Sequence, residues 1–298
     1  MKKSNMSKWG ALMGLVGLTL AACDLINPAE EIPAYIYVPS IELQTNVATQ
    51  GSNSSKITDV WLTVEGDFLG AYTLPAKIPI LKNGETQLSL RAGIKDNGVN
   101  ATPEIYPFYE RYETTIDLQP NETDTIRPII RYMDNVRFAM IEGFENASTH
   151  QFQDLRSGED ANKITISSQD AFEGLSAVIQ LDTASSFVEL ATIDRFKDLT
   201  TTNLQVYLEV NYRSEVPAIF GLVGYDDSDP FTGYPLYDPG FSPKGEWNKI
   251  YFNLSTLIAQ GNFDEYQIGF NAFIPIENGA LTLDKGQLQL DNIKLVHF

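Results

Sequence analysis

The chain has 298 residues, 43% hydrophobic and 20% charged, enough apolar material for one large or two ordinary domains and too much for a disordered chain. Its 21 Lys and Arg against 39 Asp and Glu give a net charge of -18, which excludes the basic face that nucleic-acid binding or polybasic lipid docking requires. A single cysteine, Cys23, and two histidines, His150 and His297, exclude a disulfide framework and a cysteine-rich zinc site.

At the N-terminus, Lys2, Lys3 and Lys8 precede an apolar run from Trp9 to Leu20 that is too short for a permanent membrane span. The run ends in Leu20-Ala21-Ala22-Cys23. This resembles the lipobox of bacterial lipoproteins, and the resemblance implies a leader over 1–22 and lipidation of Cys23. Loss of that leader removes three lysines, so the mature side-chain charge is 18 minus 39, or -21. Residues 23–34 then form a short tether, which places the body close to the membrane and favours a partner at its surface; a cell-envelope location, outer membrane foremost, follows from the same resemblance.

From there the pattern is β throughout. Val60, Leu62 and Val64 alternate with polar or aromatic residues, and Asn83-Gly84 and Asn97-Gly98 mark turns. Pro75, Pro79, Pro103, Pro107, Pro120 and Pro128 predict irregular or edge strands in this first part. Tyr106, Phe108, Tyr109 and Tyr112 cluster among acidic residues and read as core packing at a sandwich edge. A boundary near 132–138 separates an immunoglobulin-sized unit, 35–135, from a jelly-roll-sized one, 136–298. In the second, Ile164–Ile166 and Val178–Leu181 read as strands. Leu204, Val206, Leu208, Val210 and Tyr212 alternate with Gln205, Tyr207, Glu209, Asn211 and Arg213. Ser255 is expected to cap a single helical turn to Gln260, and Tyr266, Ile268 and Phe270 alternate with Gln267, Gly269 and Asn271. Gly245 and Asn278-Gly279 read as turns.

Three stretches carry a second resemblance: Ile141-Glu142-Gly143-Phe144-Glu145, the run Gly245-Glu246-Trp247-Asn248-Lys249-Ile250-Tyr251-Phe252-Asn253-Leu254, and Leu290-Asp291-Asn292-Ile293-Lys294-Leu295. Together they are similar to jelly-roll domains that include bacterial carbohydrate-binding modules. The tether and first domain, notably Ile32-Pro33-Ala34-Tyr35-Ile36, look like those of Bacteroidota envelope lipoproteins. The fold expected is therefore all-β, an immunoglobulin-like sandwich followed by a jelly roll. The resemblance implies a structural calcium with Glu145 and Asp291 among its ligands and Glu142 close by. Independently, Leu288 and Leu290 lie in one phase and Ile293 and Leu295 in the other, which predicts a bulge near Asp291.

The segment from Tyr225 to Pro243 sets Phe231, Tyr234, Tyr237 and Phe241 among Asp226, Asp227, Asp229 and Asp238, with prolines and glycines that predict an irregular loop. Its aromatics suit three roles: packing within the loop, stacking on sugar rings, or anchoring a protein interface. No nucleophile elbow, zinc-protease helix, phosphate-binding loop or dinucleotide fingerprint occurs, so the expected role is non-catalytic. Two readings follow. In the first the protein is an accessory subunit docked on an outer-membrane protein; in the alternative it is a glycan-binding lipoprotein using the jelly roll. Cys23→Ser should release the protein from membranes, and membrane fractionation at high salt checks this directly.

Overall fold

The computed structural model describes residues 31–99, 101, 103–155, 163–199 and 205–298. The expected leader, Cys23 and most of the tether lie outside the described residues. Two helices are described, Val47–Gln50 and Ser255–Gly261, and none of the described helices is long and apolar enough to cross a membrane.

The first domain pairs two sheets. One contains Asp67–Thr73, Asp59–Val64, Gly84–Lys95, Pro103–Ile105 and Tyr112–Leu118; the other sets Ala34–Val38 between Ala76–Ile80 and Thr123–Thr125. The period-2 pattern decides which side chains meet: Val60, Leu62, Val64, Leu88, Leu90 and Ala92 point inward against Ile36, Val38 and Ile78. Pro79 sits in an edge strand and Pro103 opens one, where a missing N–H costs no ladder bond.

The second domain is a sandwich of two antiparallel sheets. The junction sheet runs Ile164–Ser167, Ser176–Asp182, Lys285–His297, Val206–Ser214, Lys244–Asn253, with Arg137–Glu142 added beside the C-terminal half of Lys285–His297. The distal sheet runs Phe152–Asp154, Phe187–Thr192, Glu265–Phe273, Ala218–Asp226, Asp229–Phe241. Their facing sides bury Leu208, Val210, Phe220, Phe252, Phe270 and Leu290, among others. Gly245, expected in a turn, lies inside a strand. Ser255 does not cap its helix; its Oγ accepts the Val206 N–H at 3.1 Å, tying the helix to a strand end.

The predicted alternation along Val206–Ser214 is present, yet both faces are buried. The side bearing Tyr207, Glu209 and Asn211 is covered by the first domain. Tyr207, Tyr251 and Val296 belong to the first domain's hydrophobic cluster, and the Tyr106 ring contacts those of Tyr207 and Tyr251 at 5.3 and 4.9 Å. The aromatic cluster read as a sandwich edge is thus the seam between domains. At its centre lies Glu209, fully buried. Its carboxylate accepts from Tyr106 Oη and Tyr132 Oη, each at 2.7 Å, and pairs with Lys249 Nζ at 2.8 Å. Lys294, also fully buried, donates to the Ser52 carbonyl at 2.7 Å. Burial tends to raise the Glu209 pKa, but Lys249, Lys294 and the tyrosine donors outweigh it and hold the carboxyl below its ordinary value.

A buried carboxylate loses its hydration on folding and is tolerated here because two hydroxyl donors and a cation surround it. Glu209→Ala leaves Lys249 buried without its counter-charge and two tyrosine hydroxyls without an acceptor. It should cost about 3–5 kcal/mol, while Tyr106→Phe should cost about 1–3 kcal/mol, both read from urea unfolding midpoints.

Candidate functional site

The segment expected to be an irregular loop is a hairpin. Ala218–Asp226 and Asp229–Phe241 pair through a tight turn in which the Ser228 N–H bonds Asp226 Oδ1 at 2.7 Å. Pro230 and Pro235 are accommodated because Asp229–Phe241 is an edge strand with one neighbour, and register shifts absorb the irregularity. The hydrogen bonds from Ser228 hold the Asp226 carboxyl below its usual range. Asp226 therefore serves the turn, and Asp229 stands opposite it in the register.

Strand alternation sends the four aromatics to different places. Phe241 faces the core, 6% exposed, with its ring 3.8 Å from that of Tyr212. Its ring packs in the core, which corrects the expectation that placed it in a binding loop. Tyr234 stacks on Phe263 at 5.4 Å beside Gly224. Phe231, 94% exposed, stands near the tip. Tyr237 pairs with Gly221 and so lies on the outer face of the distal sheet. A Cβ at Gly269 on the next strand would sit 3.2 Å from the Tyr237 ring; glycine there makes room for the ring to lie down on the sheet.

Register defines the rest of that face. One row reads Gln153, Ala191, Gly269, Gly221, Tyr237; the next reads Glu189, Asn271, Ile219; the next pairs Phe187 with Phe273. Tyr237, Glu189 and Phe273 are half-buried, Phe187 is exposed, and Asn271 is 8% exposed. The opposite end of the face is filled. Ala191, Val223 and Tyr225 form a small apolar cluster with Leu155, and the Arg195 guanidinium lies 3.5 Å from the Tyr225 ring centroid. Arg195 also donates to the Pro230 carbonyl at 2.9 Å and pairs with Glu265, which Lys197 meets at 2.6 Å. These two cations hold the Glu265 carboxyl below its ordinary value. In the sequence, Gln267, Gly269 and Asn271 read only as the polar alternates of a strand; nothing local showed that Tyr237 and the Phe187–Phe273 pair would join them.

The predicted bulge is present: Asn292 adopts a left-handed φ of 46°, and the register shifts between the Asn211–Asp291 and Glu209–Lys294 pairs. Asp291 is fully buried. Its carboxylate accepts from Ser176 Oγ at 2.8 Å and from the N–H groups of Glu173 and Asn292 at 3.1 and 2.7 Å. Burial pushes its carboxyl up to about 6 despite these donors. Glu145 approaches the same loop and accepts the Leu175 N–H at 3.3 Å, while Glu142 is occupied by the N–H groups of Phe144 and Gln151. Glu142 and Glu145 line a cleft of about 550 Å³ between the domains, and Asp291 does not. Among the described residues, no group of three or more His, Cys, Asp or Glu converges on a point where a metal could sit. Calcium at Glu145 and Asp291 is therefore a proposal that thermal denaturation decides: a bound ion raises Tm in millimolar calcium over chelator, and coincident curves remove it.

No family model matches the chain, and no curated protein matches it. Solved structures do. The xylan-binding family 22 module from Paenibacillus barcinonensis is 12% identical, with a TM-score of 0.35, and the match covers 53% of this chain and 92% of that one. A family 30 carbohydrate-binding module of a Clostridium thermocellum cellulase is 9% identical, with a TM-score of 0.35, covering 54% and 96%. A family 61 module in complex with β-1,4-galactotriose is 12% identical, with a TM-score of 0.33, covering 52% and 93%. At these values the likeness carries no argument for function, and the sandwich assignment rests on the strand pairing itself.

Proposed function

We propose that this chain is a non-catalytic glycan-binding protein of the cell envelope, anchored at the outer membrane through lipidated Cys23. The observation that carries the reading is the outer face of the distal sheet. The junction sheet is closed by the first domain. The outer face of the distal sheet combines aromatic rings at two levels, Tyr237 and the Phe187–Phe273 pair, with the Asn271 amide and the Glu189 carboxylate between them. Gly269 and Phe273 are four residues apart on one strand, so the two aromatic levels are about 13 Å apart, the length of a short run of sugar units. Flat rings receive the apolar faces of pyranoses, and the amide and carboxylate bond their hydroxyls. Docking on an outer-membrane protein is the second reading, favoured by Phe231 at 94% exposure, a ring with the exposure of an interface anchor. The glycan reading stands ahead of it because the hairpin separates its four aromatics and forms no single apolar patch.

Affinity electrophoresis in gels containing xylan or β-1,4-galactan tests the proposal. Retardation of the wild-type protein should weaken by about tenfold or more in Tyr237→Ala and in Asn271→Ala. Unretarded wild type across a panel of neutral polysaccharides removes the distal face as a glycan site.

A further inference from the structure

The first domain has an outward sheet face whose chemistry differs from the rest of the protein. Val60, Leu62, Val64, Leu88 and Leu90 point into the core, so the residues between them face outward. Register places Ala71, Trp61 and Arg91 in one row across three strands. Because Leu90 pairs with Tyr112, Arg111 continues that row beside Arg91. The adjacent row reads Phe68, Thr63, Ser89, Glu113. Trp61 and Phe68 stack at 5.4 Å with 27° between their planes, and Phe68 is 60% exposed. A Cβ at Gly93 would lie 3.2 Å from Trp61 Nε1, so glycine lets the indole rest on the sheet.

The two arginines stand out. In a chain of net charge -18, Arg91 is half-buried and pairs with no carboxylate among the described residues. Its burial and the neighbouring charge of Arg111 both push its pKa down. Among the described residues Arg111 pairs with Glu113, at 3.6 Å, and both of those side chains are more than half exposed. Adjacent cations beside stacked aromatic rings and two hydroxyls form a surface complementary to a flat, hydroxylated anion.

We propose that this face binds an acidic saccharide, a uronate-bearing chain, with a pyranose ring on Phe68 and Trp61, its carboxylate on Arg91 and Arg111, and its hydroxyls on Thr63 and Ser89. Neighbouring strands are about 4.8 Å apart, so the step from Trp61 to Arg91 spans about one pyranose ring. A planar guanidinium takes a carboxylate through two parallel hydrogen bonds. Repulsion from distant acids is screened beyond about 8–10 Å at physiological salt, and the carboxylate of the adjacent row, Glu113, is exposed and already paired with Arg111, so a uronate competes with it for that cation. An acidic peptide fits less well: the aromatic–arginine row crosses the strands, whereas an extended peptide adds along a sheet edge. The site is independent of the distal face of the second domain and would take an anionic ligand where that face takes a neutral one.

Affinity electrophoresis of the full chain in polygalacturonate and in alginate gels tests it. Wild type should be retarded, less so as salt rises. The double variant Arg91→Gln with Arg111→Gln and the single variant Phe68→Ala should each lose about tenfold or more in affinity. Tyr237→Ala should bind polygalacturonate as wild type does, and the arginine variant should keep whatever neutral-polysaccharide binding wild type has, so the two sites are read separately. Phe68 is largely exposed, so its variant stays folded, and a melting curve establishes the same for the arginine variant. Wild type that migrates freely in both polyuronates overturns the proposal, as does an arginine variant that is retarded as strongly as wild type.

Discussion

The arrangement of the whole molecule turns on one carboxylate. Glu209 lies on the outer face of a central strand, where an isolated sandwich would have left it in water. The first domain seals it instead, and tyrosines from that domain, Tyr106 and Tyr132, supply hydroxyls that replace the lost hydration. Lys249 supplies the counter-charge from the same sheet. A charge so enclosed tolerates little movement, because separating the domains by even a few ångströms would take away both hydroxyl donors and leave Lys249 alone to satisfy it. Polar contacts around it hold the same seam: Asn253 bonds Asn97 and Asp96, Ser54 bonds Asn211, and Lys56 bonds Asn248. The two sandwiches share a hydrophobic cluster across the seam, with Tyr207, Tyr251 and Val296 of the second packed into the core of the first.

Much of this fold was legible in the sequence, because period-2 alternation encodes which side of a strand is apolar. The strands around Val60, Val178, Val206 and Tyr266 lie where alternation placed them, and the phase change near Asp291 marked the bulge at Asn292. What alternation cannot encode is what covers the other side. Glu209 and Asn211 read only as the alternates of an apolar face; they are buried because a partner surface a hundred or more residues earlier in the chain carries matching donors. Tyr106 and Tyr132 gave no local sign of that role, since a tyrosine in a core and a tyrosine bonded across a seam look alike in sequence.

The hairpin from Ala218 to Phe241 shows the complementary failure. Its prolines and glycines argued against a regular element, yet an edge strand exempts them, since its outward N–H groups need no partner. Once the segment is a strand, its side chains must divide between faces. Phe241 goes to the core, Tyr237 to the distal face and Tyr234 to the stack with Phe263, so a sequence cluster of aromatics becomes three separate environments. The site that emerges is assembled from four strands, and no contiguous motif could have announced it.

Two glycines give the strongest physical reason to treat the distal face as selected for more than stability. Gly221 and Gly269 are neighbours on adjacent strands, in the middle of a sheet, where glycine weakens a strand by removing packing and adding unfolded-state entropy. On a face that served only to meet water, β-branched residues would stabilise the sheet better. Here the missing side chain of Gly269 leaves room for the Tyr237 ring, and that of Gly221 lets the Leu236–Tyr237 backbone approach closely. Gly93 performs the same service for Trp61 on the first domain. In both domains a conformational cost has been accepted to lay an aromatic ring flat on an outward sheet face. That geometry suits a ligand that is itself flat.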